Sequence, residues 1–213
     1  MTITSFKTEL ELCINLRSEL LEQLNDNKRI KNIAISGGST PTALFNYLGN
    51  HPLSSELNNS ANVFWVDERY VPTSDQRNNS SVALDLWFQH EDRLNIFPVK
   101  TEVNPIEKCA VEYASILKEK SNFKLDLVLL GMGLDGHIAS IFPGQSHSTE
   151  VFSCKHPTDG TQRISMSLEL LSKAEHIWLL INGEEKRKVL EKNMDLPIHK
   201  LIQKKDIKVY HLG

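Results

Sequence analysis

A regular alternation of short apolar runs with amphipathic segments constrains this chain more tightly than any other feature. The runs IKNIAIS (30–36), ANVFWVD (61–67), LNIFPV (94–99), LDLVLLG (125–131) and HIWLLIN (176–182) have the length and branched or aromatic content of buried strands. Between them lie segments of helical period. In residues 8–26, Leu12, Leu16, Leu20 and Leu24 recur four apart, with Cys13 and Leu21 on the same face. Helices are likewise expected after GGSTP and over 78–90, 104–120 and 183–193, and further strands at RISMSL (163–168) and IKVYHL (207–212). Strands alternating with helices imply an α/β architecture, a Rossmann-like, mainly parallel sheet with helices on both faces. No internal repeat or Pro/Gly-rich linker divides the chain, so residues 1–213 are expected to form a single domain, with 143–162 an ordered surface loop.

Composition narrows the function classes. A net charge of −3 without any basic block argues against nucleic acid or an anionic membrane as partner. The longest apolar runs fall well short of the roughly 20 residues needed to cross a bilayer. No basic segment followed by an apolar one marks a signal peptide at the N-terminus. Cys13, Cys109 and Cys154 are odd in number, far apart and in no CxxC spacing. They read as small hydrophobes of a reduced, cytoplasmic protein, with no structural metal site.

In an open parallel sheet, ligands gather at the carboxyl ends of the strands. Four polar segments follow apolar runs there. SGGSTP joins a strand to a helix through Gly37 and Gly38, with Ser39 or Thr40 as cap and Pro41 in the first turn. It serves either as a phosphate cradle or as a plain capped turn. The Lys of a Walker A loop is absent, which excludes that mode of nucleotide binding. Arg163 and Lys186 stand at element ends where each is either a solvated charge or an anion contact. Asp67, Glu68 and Arg69 follow a strand directly, to act on a substrate or to pair with one another.

The fourth segment, GMGLDGH (131–137), matches GxGxxG, yet it follows neither the first strand nor opens a helix, since Pro143 and Gly144 arrive too soon. The dinucleotide reading therefore fails on context. What remains is Asp135 and His137 at a sheet edge. An imidazole has an ordinary pKa near neutrality and can exchange protons with water or a leaving oxygen.

Taken together, ISGGSTP, VDERYVP, LDLVLLGMGLDGHIASIFPG and RISMSLELLSKAEHIWLLINGEEKRKVL resemble, in order and spacing, the 6-phosphogluconolactonases of the glucosamine-6-phosphate isomerase/6-phosphogluconolactonase family. The resemblance runs from about residue 30 to the C-terminus. It implies the sugar-phosphate isomerase/deaminase-like fold and hydrolysis of a sugar-phosphate lactone without metal or organic cofactor. It also implies that Gly38, Ser39, Thr40, Arg163 and Lys186 hold the substrate phosphate. His137 is then the general base, with Asp67, Arg69 and Asp135 around the reacting end.

The related deaminases carry DEY where this chain has Asp67, Glu68 and Arg69, and a Glu five positions after the DGH histidine, where this chain has Phe142. Both differences favour the lactonase. The alternatives are an amino-sugar-phosphate deaminase, a serine hydrolase using Ser36 or Ser39, for which no GxSxG elbow is present, and a non-catalytic sugar-phosphate sensor. The expected partner is a small sugar phosphate, and the chain is expected to work as a monomer or weak homodimer.

Overall fold

Two of the expected strands, β2 (Lys31–Ile35) and β3 (Ala61–Trp65), are buried at all five positions. Burial on both faces requires a covering layer on each side, which is the environment of a parallel sheet in an α/β protein. The computed structural model describes residues 1–25, 29–192 and 195–213 and places both strands in a sheet of seven. Its other members are β1 (Thr2–Phe6), β5 (Leu94–Phe97), β6 (Leu127–Gly131), β9 (His176–Asn182) and β10 (Lys208–Leu212). The order is β1-β10-β9-β6-β2-β3-β5, and every pairing is parallel.

Helices α1 (Glu9–Leu24), α2 (Ser39–Asn50), α3 (Asn79–Leu86), α4 (Ile106–Ser121) and α6 (Glu184–Glu191) occupy the expected segments. The expected ends of the first and last of these, at Asp26 and Asn193, lie outside the described residues. Within α1 Leu12, Cys13, Leu16, Leu20 and Leu24 are buried and Leu21 is partly buried against the same core, and Thr8 caps the helix by accepting the Glu11 N–H.

This topology gathers the site. β9, β6, β2 and β3 are consecutive neighbours, so the segments that follow them emerge side by side. The chain direction across the sheet reverses between β2 and β6, and a crevice opens at such a switch point.

Three features depart from the sequence reading. The segment 143–162 is not simply a loop, because it contains strand β7 (Val151–Lys155). RISMSL does form a strand, β8 (Gln162–Met166), but outside the parallel sheet: it pairs antiparallel with β7 and with β4 (Asp67–Arg69) in a second, three-stranded sheet. Strand β1 and the short helices α5 (Leu168–Ser172) and α7 (Pro197–Lys204) were not anticipated. Both sheets contribute to one continuous buried cluster.

The chain changes sheets just after β3. The Val66 N–H donates to Ile35 of β2 at 3.0 Å, while the Val66 carbonyl accepts from Met166 of β8 at 2.8 Å. Pairing of β3 with β5 stops at Phe64, leaving the N–H and carbonyl of Trp65 without a strand partner on that side. The phenol of Tyr113, fully buried on α4, takes both: it accepts from Trp65 N at 2.7 Å and donates to Trp65 O at 2.8 Å. Replacing Tyr113 by Phe strands two buried backbone groups, and each costs about 1–3 kcal/mol. Tyr113→Phe should therefore lower the unfolding free energy by an amount of that order, seen as a lower urea midpoint at unchanged m-value, and an unchanged midpoint would refute the clamp.

Candidate active site

Helix α2 begins differently from expectation. Its N-cap is Gly38, at φ 107°, and not Ser39 or Thr40, and no side chain bonds to its first N–H groups. A left-handed backbone at that position suits only glycine well. The uncapped donors face a cleft of about 180 Å³. Unsatisfied N–H groups and the helix dipole together favour an anion there.

Of the residues singled out in the sequence, Gly38, Ser39, Thr40, Asp67, Arg69, His137, Arg163 and Lys186 all line this cleft. Asp135 does not. It stands behind His137, accepting from Nδ1 at 2.6 Å and from the His137 backbone N–H at 3.3 Å. Partial burial would raise the Asp135 carboxyl, but the charge and hydrogen bonds of His137 outweigh it and hold the group below its ordinary value. An ionised carboxylate only accepts, so Nδ1 carries a proton, and in the neutral tautomer this leaves the lone pair on Nε2.

The loop holding this pair is short and cross-braced. Gly133 N donates to the His137 carbonyl at 3.0 Å, and Met132 bridges to Ile138. A Cβ on Gly133 would lie 2.3 Å from the His137 ring and 2.6 Å from Asp135 Oδ1. The glycine thus makes room for a side-chain pair and not for a pyrophosphate. On its other side the His137 ring meets Phe142, centroids 5.2 Å apart, and His156, at 6.3 Å.

Arg69 and Arg163 occupy directly opposed positions on the antiparallel pair β4–β8. Like charges so placed repel and are normally avoided. Asp67, itself buried, offers Arg163 only a loose pairing at 3.9 Å, because the same oxygen, Oδ2, accepts the Ser140 hydroxyl at 2.7 Å. The Nε atoms of Arg69 and Arg163, and Ser36 Oγ, are buried without a hydrogen-bond partner. Burial pulls Arg163 below its ordinary value, with Asp67 opposing and Arg69 reinforcing the shift. Burial likewise lowers Lys186. Dehydrated cations, idle donors and an uncapped helix N-terminus converge on one cleft, and together they fit an anionic ligand.

The segment linking these groups is anchored by Glu68, which the sequence reading left in the Asp67–Arg69 cluster without a separate role. It is fully buried and accepts N–H bonds from Arg69 at 2.8 Å, Asn79 at 2.7 Å and Ser80 at 2.8 Å. It thereby ties β4 to the start of α3. Asn79 and Ser140 were missed, since neither belongs to a motif whose chemistry demands it. Among the described residues no cluster of His, Cys, Asp and Glu could hold a metal ion.

The sequence profile of glucosamine-6-phosphate isomerases/6-phosphogluconolactonase matches residues 7–210. The chain belongs to this family. It is 33% identical over 178 residues to the 6-phosphogluconolactonase of Haemophilus influenzae, covering 79% of this chain and 75% of that one. To the 6-phosphogluconolactonase of Treponema pallidum it is 31% identical over 184 residues, covering 78% and 76%. Among solved structures, a 6-phosphogluconolactonase from Shewanella baltica superposes with a TM-score of 0.87 at 25% identity, covering 100% of this chain and 98% of that one.

Burial pushes the Glu68 carboxyl from 4.5 up to about 7, against the three backbone N–H groups and with help from the Asp67 charge. A raised folded-state value means that the folded protein binds the proton more tightly than the unfolded chain. The resulting stability is complete below about 4.5 and is lost as the pH rises through about 7. The difference in unfolding free energy between the native protein and Glu68→Gln should therefore decline across that window in urea titrations. A difference independent of pH would contradict the assignment.

Proposed function

We propose that this protein hydrolyses 6-phospho-D-glucono-1,5-lactone to 6-phosphogluconate, the ring-opening reaction of the oxidative pentose phosphate pathway. The observation that carries this reading is the presence, in one cleft, of a carboxylate-bound imidazole and an array of anion-binding groups. Family membership supports it. In the proposed complex the substrate phosphate is held by the N–H groups at Gly38, Ser39 and Thr40 with Lys186 and Arg163.

Hydrolysis requires water to attack C1, charge to build on the carbonyl oxygen, and the ring oxygen to leave with a proton. His137 Nε2 takes the proton of the attacking water, and the imidazolium so formed is stabilised by Asp135 through Nδ1. Such a positioned base contributes about 10²- to 10⁴-fold. The imidazolium can then return a proton to the departing ring oxygen. Arg69, a cation fixed by donating Nη1 to the Arg77 carbonyl at 2.7 Å, stabilises or orients the carbonyl oxygen. Phosphate binding at the far end holds the lactone in register, so remote binding energy serves alignment at C1.

A deaminase needs an acid or base to open a sugar ring. At the position where those enzymes place a Glu, Phe142 is buried against His137, and a phenyl ring moves no proton. A serine nucleophile is disfavoured as well, because His137 bonds to neither Ser36 nor Ser39.

The test generates the lactone in situ and follows its lifetime with and without protein, alongside ammonia release from glucosamine 6-phosphate. Accelerated lactone loss without ammonia is expected; no acceleration would leave a sugar-phosphate sensor. His137→Ala should lower kcat by about 10²-fold or more while phosphate-ligand binding persists, and retained turnover would remove His137 as the base. Lys186→Ala should act chiefly on KM, and an unaltered KM in steady-state assays would end its phosphate role.

A further inference from the structure

Asn79 is the first residue of α3, and its side chain enters the cleft although no motif called attention to it. Its placement is closely determined. The backbone N–H is pinned by Glu68 Oε1 at 2.7 Å, and the side-chain Nδ2 donates to the Asp67 carbonyl at 3.0 Å. The second bond settles the amide orientation, because only the nitrogen can donate to a carbonyl. Oδ1 therefore points the other way, toward the Gly37–Gly38 segment. A Cβ on Gly37 would lie 1.9 Å from it, so the amide occupies space that only a glycine leaves open.

Asn79 thus spans the interval between the proposed phosphate loop and the carbonyl of Asp67 at the proposed reacting end. It also lines the smaller adjoining cavity of about 120 Å³, shared with Gly37, Gly38 and Arg69. Oδ1 accepts no hydrogen bond from any described residue, while one of the two Nδ2 hydrogens is engaged by the Asp67 carbonyl. An oriented acceptor without a protein partner beside a polar cleft is placed to take a donor from the ligand. Between its phosphate and its carbonyl, the only hydrogen-bond donors of a sugar-phosphate lactone are hydroxyl groups.

We propose that Asn79 Oδ1 accepts a hydrogen bond from a ring hydroxyl of the substrate and so makes Asn79 a specificity-determining residue. The inference rests on the lactonase reading given above, and it adds a contact to the middle of the substrate, between the phosphate and C1. It assigns the recognition of sugar hydroxyls to the amide that Glu68 and the Asp67 carbonyl hold in place.

The experiment compares 6-phosphogluconolactone with its 2-, 3- and 4-deoxy analogues, each formed in situ by oxidation of the corresponding deoxy-glucose 6-phosphate. For the native protein, removal of one of these hydroxyls should lower kcat/KM roughly fivefold to tenfold, the factor that one neutral hydrogen bond supplies. In Asn79→Ala and Asn79→Ser that discrimination should fall to near unity for the same analogue, with the other two ratios unchanged. Each ratio is taken within a single preparation, so a reduced folded fraction cancels. A variant that slows all four substrates equally would make Asn79 merely structural and overturn the proposal, as would native protein indifferent to every deletion. If native protein fails to hydrolyse the parent lactone, the lactonase reading itself has failed, an outcome distinct from loss of the Asn79 contact alone.

Discussion

The transfer of hydrogen bonds at Trp65 and Val66 is the constraint on which the rest of the site depends. A parallel strand that ends in the sheet leaves backbone groups to be satisfied, and at this point the chain must also turn Asp67 and Arg69 toward the crevice. The structure meets both needs by dividing the backbone between two sheets, with Ile35 on one side, Met166 on the other and the Tyr113 phenol completing Trp65. Because β4 then pairs with β8, Arg163 is brought opposite Arg69. The electrostatics of the cleft follow from a decision made in the backbone.

That arrangement accepts local costs. Two arginines share a cross-strand position, a carboxyl is fully buried at Glu68, and three polar atoms in the cleft lack partners. Each is unfavourable in the free protein, by amounts that are substantial beside a total stability of about 5–15 kcal/mol. They concentrate around one cleft, whereas the buried Asn32 and Asn62 of the parallel sheet pair with each other at 2.8 Å. Glu91 shows the contrast. Also buried, it accepts bonds from Leu53, Ser54 and Trp87 and, like Glu68 and unlike the Nε atoms of Arg69 and Arg163, is fully partnered within the protein.

The parallel sheet was legible in the sequence because strands buried on both faces are largely apolar, and β2, β3, β6 and β9 are, apart from Lys31, Asn32 and Asn62 toward the amino ends of β2 and β3 and the polar residues His176 and Asn182 that end β9. The second sheet was not. VFSCK in β7 has only its first two positions buried, and its register is set by β8 and not by a pattern of its own. Strand β1 was hidden for a related reason: three of its five residues are exposed, and its partner β10 lies at the opposite end of the chain. Among site residues, those on glycine-marked turns could be located because the glycines betray where backbone meets ligand. Asn79 and Ser140 carry no such marker, and only the folded arrangement brings them to Asp67.

The GxGxxG pattern at 131–136 shows how one sequence signal can serve unlike chemistry. In a dinucleotide-binding turn the glycines make room for a pyrophosphate and then open a helix. Here the same smallness at Gly133 is filled by the protein's own His137 and Asp135, at distances a single methyl group would forbid. No helix follows, because the chain instead bridges back from Ile138 to Met132 and Ile141, which lays Phe142 against the imidazole. A loop that ran on into a helix would carry its third glycine and the following histidine away from the sheet edge. By folding back, this one leaves the imidazole with a carboxylate on one side, an apolar ring on another and the cleft before it. That environment suits the base role proposed for His137.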